Sequence, residues 1–228
     1  MKLYFLLEDS KSFCKVLPFW LAKCLPRYRQ VNHEDDLCDG SYLLESGAGY
    51  PRIKNVLKER LSVFENYNIQ PDCIALFYDV DDWSKGKIKE EQLEYSNIFK
   101  AGGREYNYEL FPMYRCFETW LLGNRDVFPK TVDAPFKEFA DFYDVSQSNP
   151  EMMSKPDDYE GTLAYYHYDY LQQMLRSSIK KNYSKRHPGV AKDVNYLEAL
   201  IRRAEDTGDI VSFSRFILFL QHINNMDN

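Results

Sequence analysis

The sequence predicts an α/β fold, a mostly parallel sheet flanked by helices, with a C-terminal helical extension beyond it. Three observations carry this. Two wholly apolar runs, Leu3-Tyr4-Phe5-Leu6-Leu7 and Cys73-Ile74-Ala75-Leu76-Phe77-Tyr78, have the unbroken hydrophobicity of parallel strands covered on both faces. Segments of helical period separate them from each other and from later strand candidates, which is the alternation of an α/β chain. Finally, Pro129, Pro135, Pro150 and Pro156 punctuate a loop-rich stretch, after which three helical patterns follow near 162–181, 192–205 and 209–223. The expected organisation is an α/β core over 1–125 and a loop-rich, helical extension over 126–228 packed on it.

After the first strand, Phe13, Val16, Leu17, Trp20, Leu21 and Cys24 recur at helical spacing, with Ser10 or Ser12 as the cap and Pro26 as the stop. Ser41 to Glu45 reads as a short strand and Gly47-Ala48-Gly49 as a turn. Pro51 opens a helix running to about Asn66. Past the second apolar strand come a helix over Ile88 to Phe99, a turn at Gly102-Gly103, a strand from Tyr106 to Phe111 and a helix from about Tyr114 to Leu122.

Composition narrows the function. The 228 residues hold 29 Lys and Arg against 35 Asp and Glu, a net charge of −6, so a broad grip on a phosphate backbone is not expected and any phosphate binding must be local. No apolar run approaches a membrane span, and MKLYFLLEDSK meets acids too soon for a signal peptide, so the expectation is a cytoplasmic protein with no membrane contact. Cys14, Cys24, Cys38, Cys73 and Cys116 are odd in number and never two residues apart, which suits reduced thiols better than a disulfide frame or a zinc site. His33, His167 and His222 have no ligand or triad spacing.

Both apolar strands end abruptly in acids, Glu8 on one and Asp79 with Asp81 on the other. In open parallel sheets the functional crevice lies beyond the carboxyl ends of the strands. If the chain stays extended past Asp79, the two-residue period puts Asp79 and Asp81 on one side, where they share a cation. Hard ions such as Mg²⁺ take one or two carboxylates together with water and phosphate oxygens. Acids at two neighbouring strand ends repel unless a cation or protons offset them.

The pairing of LYFLLED with IALFYDVDD resembles the Toprim domain of topoisomerases, bacterial primases and overcoming-lysogenization-defect nucleases. YRCFETWLLGN (Tyr114 to Asn124), YSKRHPG (Tyr183 to Gly189) and SFSRFILFL (Ser212 to Leu220) resemble small stand-alone Toprim-like bacterial proteins, some of which sit beside ATPase genes in phage-defence loci. The resemblance implies a Rossmannoid Toprim core and a Mg²⁺- or Mn²⁺-dependent nuclease cleaving DNA or RNA, the effector of an anti-phage system with an ATPase partner; an oligomer is possible. It further implies Glu8 as general acid/base and metal ligand and Asp79 and Asp81 as metal ligands; Glu118, on the next helix, and Lys185, folding back to hold a scissile phosphate, are further catalytic candidates. Two positions depart from the pattern: Asp9 stands where a Gly usually follows the Glu, and Ser12 where nuclease relatives carry a second acid.

For Glu118 the plainer reading is a surface acid, and for Lys185, within the run Lys180, Lys181, Lys185, Arg186 and His187, a solvated helix end. Two other functions stay open: a catalytically idle Toprim-like subunit that regulates an ATPase, and a nucleotide-sugar transferase using Asp79 and Asp81 for a metal.

Overall fold

The computed structural model describes residues 1–226, and in it the two apolar runs become neighbouring strands of one sheet. In chain order the elements are β1 (Lys2–Leu7), α1 (Phe13–Cys24), β2 (Arg29–Val31), β3 (Ser41–Ser46), α2 (Ile53–Asn66), β4 (Cys73–Asp79), α3 (Lys85–Ala101), β5 (Tyr108–Met113), α4 (Phe117–Leu121), α5 (Phe136–Phe142), α6 (Leu163–Ile179), α7 (Val194–Thr207) and α8 (Val211–Met226). Among the described residues the strands form an all-parallel five-stranded sheet in the order β2-β3-β1-β4-β5, so the fold is α/β with a Rossmann-like core and C-terminal helices. Two compact units are present. One comprises residues 1–78, 83–112 and 220–226; the other comprises 79–82 and 113–219.

In the first unit, β1 pairs with β3 on one side and β4 on the other, with Leu7 opposite Phe77 in the second pair. That central position explains the unbroken apolar pattern: Leu3 to Leu7 are at most 1% exposed, and Ile74, Leu76, Phe77 and Tyr78 are fully buried. Phe77 stacks on Phe111 at 4.6 Å and meets Phe13 of α1 edge-on at 5.3 Å. The polar edge strand β2 escapes a hydrophobic-period reading because two of its three residues are exposed.

The start of α1 differs from expectation. Ser12 occupies the cap position without making a cap bond. Instead the Asp9 carboxylate accepts the backbone N–H groups of Lys11 (2.8 Å), Ser12 (2.6 Å) and Phe13, and the Ser12 hydroxyl (3.0 Å). A carboxylate satisfies these otherwise orphaned donors and suits the positive end of the helix dipole. Asp9 is therefore the cap of α1. The 47–49 turn forms as expected, with Gly47 so close to Ile53 that a Cβ would lie 2.5 Å from its side chain, and with Gly49 at φ +91°.

In the second unit Trp120 is core, as expected. It stacks on Phe216 at 5.9 Å and donates its indole N–H to Ser212 Oγ at 2.7 Å. Helix α5, seven residues inside the proline-punctuated stretch, is too short to show a period, yet Phe136 is fully buried against Phe128 and Tyr170. Arg203 of α7 is 3% exposed and binds the loops together. Its guanidinium donates to the carbonyls of Val145 (2.5 Å), Ser148 (2.8 Å) and Gly123 (3.4 Å) and pairs with Asp209 at 2.8 Å.

Replacing Arg203 by Met takes the guanidinium from these carbonyls and leaves Asp209 with Arg125 alone, at 3.8 Å, and removing one partner of a buried pair costs about 3–5 kcal/mol. Urea unfolding of R203M is expected to show a loss in that range; a change below about 1 kcal/mol, the scale of a surface pair, would refute the assignment.

Candidate functional site

The sheet order puts the topological switch between β1 and β4, because the chain leaves β1 toward β3 and returns on its other side. Glu8 follows the first of these strands and Asp79 closes the second.

In the first unit the Glu8 backbone extends the ladder, its N–H donating to Phe77 O at 2.9 Å and its carbonyl accepting from Gly49 at 2.9 Å. Glu8 Oε1 accepts the Tyr50 N–H at 3.2 Å. The 47–50 turn thus holds Glu8 from above. Beside it, burial raises the Tyr95 phenol above its ordinary range, and the negative charge of Glu8 adds to this.

In the second unit the chain does not stay extended past Asp79. Val80 is buried, and Asp81 turns into the left-handed region at φ +42°. The condition for reading Asp79 and Asp81 as alternate residues of one strand is therefore not met. What fixes the turn is Arg115, itself at φ +70°. The Asp81 N–H donates to Arg115 O at 2.9 Å, and Arg115 Nη1 donates back to Asp81 O at 2.9 Å. Two non-glycine residues in left-handed conformations, tied to each other, are the kind of local strain that persists where surrounding structure over-determines it, and functional sites are enriched in it. Burial, and then the neighbouring Asp82, push the Asp81 carboxyl above its ordinary range, against the opposing fields of Lys185 and Arg115.

Glu118 is 1% exposed on α4, so it is no surface acid. One oxygen accepts the Tyr183 hydroxyl at 2.8 Å, and the other lies 3.5 Å from Lys185 Nζ. Lys185 is not simply a solvated helix end. It stands on the short turn closed by the Ser184–His187 bridge, its side chain 40% exposed, its ammonium 5.9 Å from the centre of the Tyr168 ring. Lys180, Lys181, Arg186 and His187 remain exposed. The second unit thus holds Asp79, Asp81, Glu118 and Lys185, four of the five residues singled out in the sequence, and adds Arg115, which the sequence reading passed over. Arg115 stood inside the YRCFETW motif, but only its backbone conformation and its bond to Asp81 mark it.

The donors are all oxygens, the chemistry a hard ion takes. Among the described residues no three His, Cys, Asp or Glu side chains are grouped so as to hold a metal ion. An ion here would therefore take one or two carboxylates from the protein, with water and substrate completing its shell, and not a protein cage of three ligands. All five cysteines are free thiols, and burial, with Glu118 and Asp79 adding to it, raises the Cys116 thiol well above its usual range. Among the described residues no helix is long and apolar enough to cross a membrane. Comparison with family models, curated proteins and solved structures returned no match.

His167 is buried and belongs to the frame of this unit. Its Nε2 lies 3.2 Å from Met153 O, which can only accept, so Nε2 carries the proton and Nδ1 accepts the Thr119 hydroxyl at 2.8 Å. Burial holds the ring down to about 4, from 6.5. The sign follows: with the folded value depressed, the contribution to stability is complete above pH 6.5 and is lost as the pH falls toward 4. Between pH 7 and 4.5 wild type is expected to lose roughly 2–3 kcal/mol more unfolding free energy than His167→Gln, at 1.36 kcal/mol per unit. Equal losses in the two proteins would show that His167 does not titrate this way.

Proposed function

We propose that this chain is a Toprim-like nuclease that hydrolyses phosphodiesters in DNA or RNA, working as the effector of a bacterial anti-phage system with an ATPase partner. What supports the reading most is the Lys185 ammonium, held by a buried carboxylate within the electrostatic reach of Asp81. A partly exposed cation fixed by a buried anion is preorganised to meet charge that develops on a phosphate oxygen.

In this reading Lys185 and Arg115 face the scissile phosphate, and Glu118 acts through Lys185 by fixing where its ammonium sits. Glu8 is the proposed general acid/base carried by the first unit, its carboxylate oriented by the Tyr50 N–H. Mg²⁺ or Mn²⁺, which Asp79 or Asp81 would hold with water and substrate oxygens, would supply further neutralisation of phosphate charge.

A second reading, the idle subunit that regulates an ATPase, is favoured by one observation. Arg115 and Lys185 already oppose the Asp81 charge, so the acid cluster does not by itself demand a metal.

The test is incubation of the purified chain with Mg²⁺ or Mn²⁺ and mixed single- and double-stranded nucleic acids. Cleavage is expected, falling about 10²–10³-fold in Lys185→Met, the loss typical of one preorganised donor, and about 10²–10⁴-fold in Glu8→Gln, the range of a general acid/base. No cleavage by the chain, alone or with the ATPase partner, would leave the idle subunit. Unchanged turnover in Lys185→Met would remove the lysine from the reaction.

A further inference from the structure

We propose that Tyr50 and Trp83 form a shelf on which one unpaired nucleobase stacks, next to Glu8. This rests on the nucleic-acid reading and narrows it to single-stranded or unpaired substrate.

The rings belong to a cluster built around Glu91, whose side chain is fully buried on α3. Glu91 pairs with Lys54 at 2.6 Å and Lys87 at 2.8 Å, and accepts the Tyr50 hydroxyl at 2.9 Å. Lys54 Nζ lies 4.9 Å from the centre of the Tyr50 ring. The Trp83 ring stands edge-on to Tyr50 at 5.1 Å, with Lys87 Nζ 5.9 Å from its centre and Tyr78 6.3 Å away.

Tyr50 is therefore pinned three times, by its N–H on Glu8, by its hydroxyl on Glu91 and by the ammonium against its ring. Even so it is 40% exposed. A clamped ring with open surface costs little entropy when a flat ligand covers it. Trp83 is partly exposed, less so than Tyr50, whereas Trp20 and Trp120 are 1% and 0% exposed.

Charge selects among ligands. Lys54 and Lys87 are answered by Glu91, Glu94 and Glu90, so the cluster offers ring surface and no excess of cations for a phosphate backbone. Duplex bases hide their faces in the stack. An unpaired base presents one, and base–aromatic stacking tolerates any sequence.

Trp83 supplies the readout, since the other two tryptophans are sealed from solvent. Wild type at low salt is titrated with short oligothymidylate and with an abasic oligomer of the same length, following tryptophan emission and the anisotropy of a labelled strand. Oligothymidylate is expected to quench the emission and the abasic strand not to. The quenching disappears in Trp83→Phe, and affinity falls roughly 5- to 150-fold in Tyr50→Leu, the worth of one base–aromatic stack. Tyr50→Phe, which keeps the ring, restores it. Equal quenching by both strands, no binding of either, or a lowered Tm in Tyr50→Leu at unaltered affinity would overturn the shelf, the last because the rings would then only roof Glu91. Cleavage without quenching overturns the shelf and leaves the nuclease; quenching without cleavage of any substrate does the reverse.

Discussion

A carboxylate sealed from solvent must be answered by donors, and the second unit is organised around the answer given to Glu118. Helix α4 carries it inward between Phe117 and Trp120, both in the core. The donors come from 65 and 67 residues along the chain, a tyrosine hydroxyl and a lysine ammonium on one turn. That turn is held in place from a third direction, since Gln172 of α6 donates to the Tyr183 carbonyl at 2.7 Å. Leaving Glu118 charged without these partners would cost several kcal/mol. The long connection through α5 and α6 therefore ends where the buried charge requires it to.

The legibility of this protein in its sequence follows how local each cause is. Strands β1 and β4 are readable because a strand covered on both faces has nothing but apolar residues, and α6 to α8 because sixteen or so residues suffice to show a period. The edge strand β2 and the short α5 are stabilised by their neighbours, and neither has a pattern of its own. The cap of α1 was misassigned because serine and aspartate are both good caps, and only the chain path shows that Asp9 reaches the three N–H groups while Ser12 does not.

At the candidate site the residue types were legible and their arrangement was not. Acids at strand ends announce themselves. That Asp81 would turn back through a left-handed conformation, and that Arg115 would meet it there, depends on contacts 34 residues apart in the chain. Glu118 and Lys185 carried the same ambiguity for an opposite reason. Short of knowing that α4 faces inward, a glutamate beside a tryptophan reads equally as surface or as site.

Arg203 has a consequence for how the sequence can drift. Three of its four partners are main-chain carbonyls, at Gly123, Val145 and Ser148, and a carbonyl is present whatever side chain the residue bears. The half-exposed residue 148 is thus free to exchange its side chain without disturbing the joint, whereas Val145, 1% exposed, is fixed by the core around it. Position 123 is fixed as well, since a Cβ there would come within 2.9 Å of Ile210. Where the side chains of this irregular stretch reach solvent its composition can wander, while its path, read by one guanidinium from main-chain oxygens, stays the same.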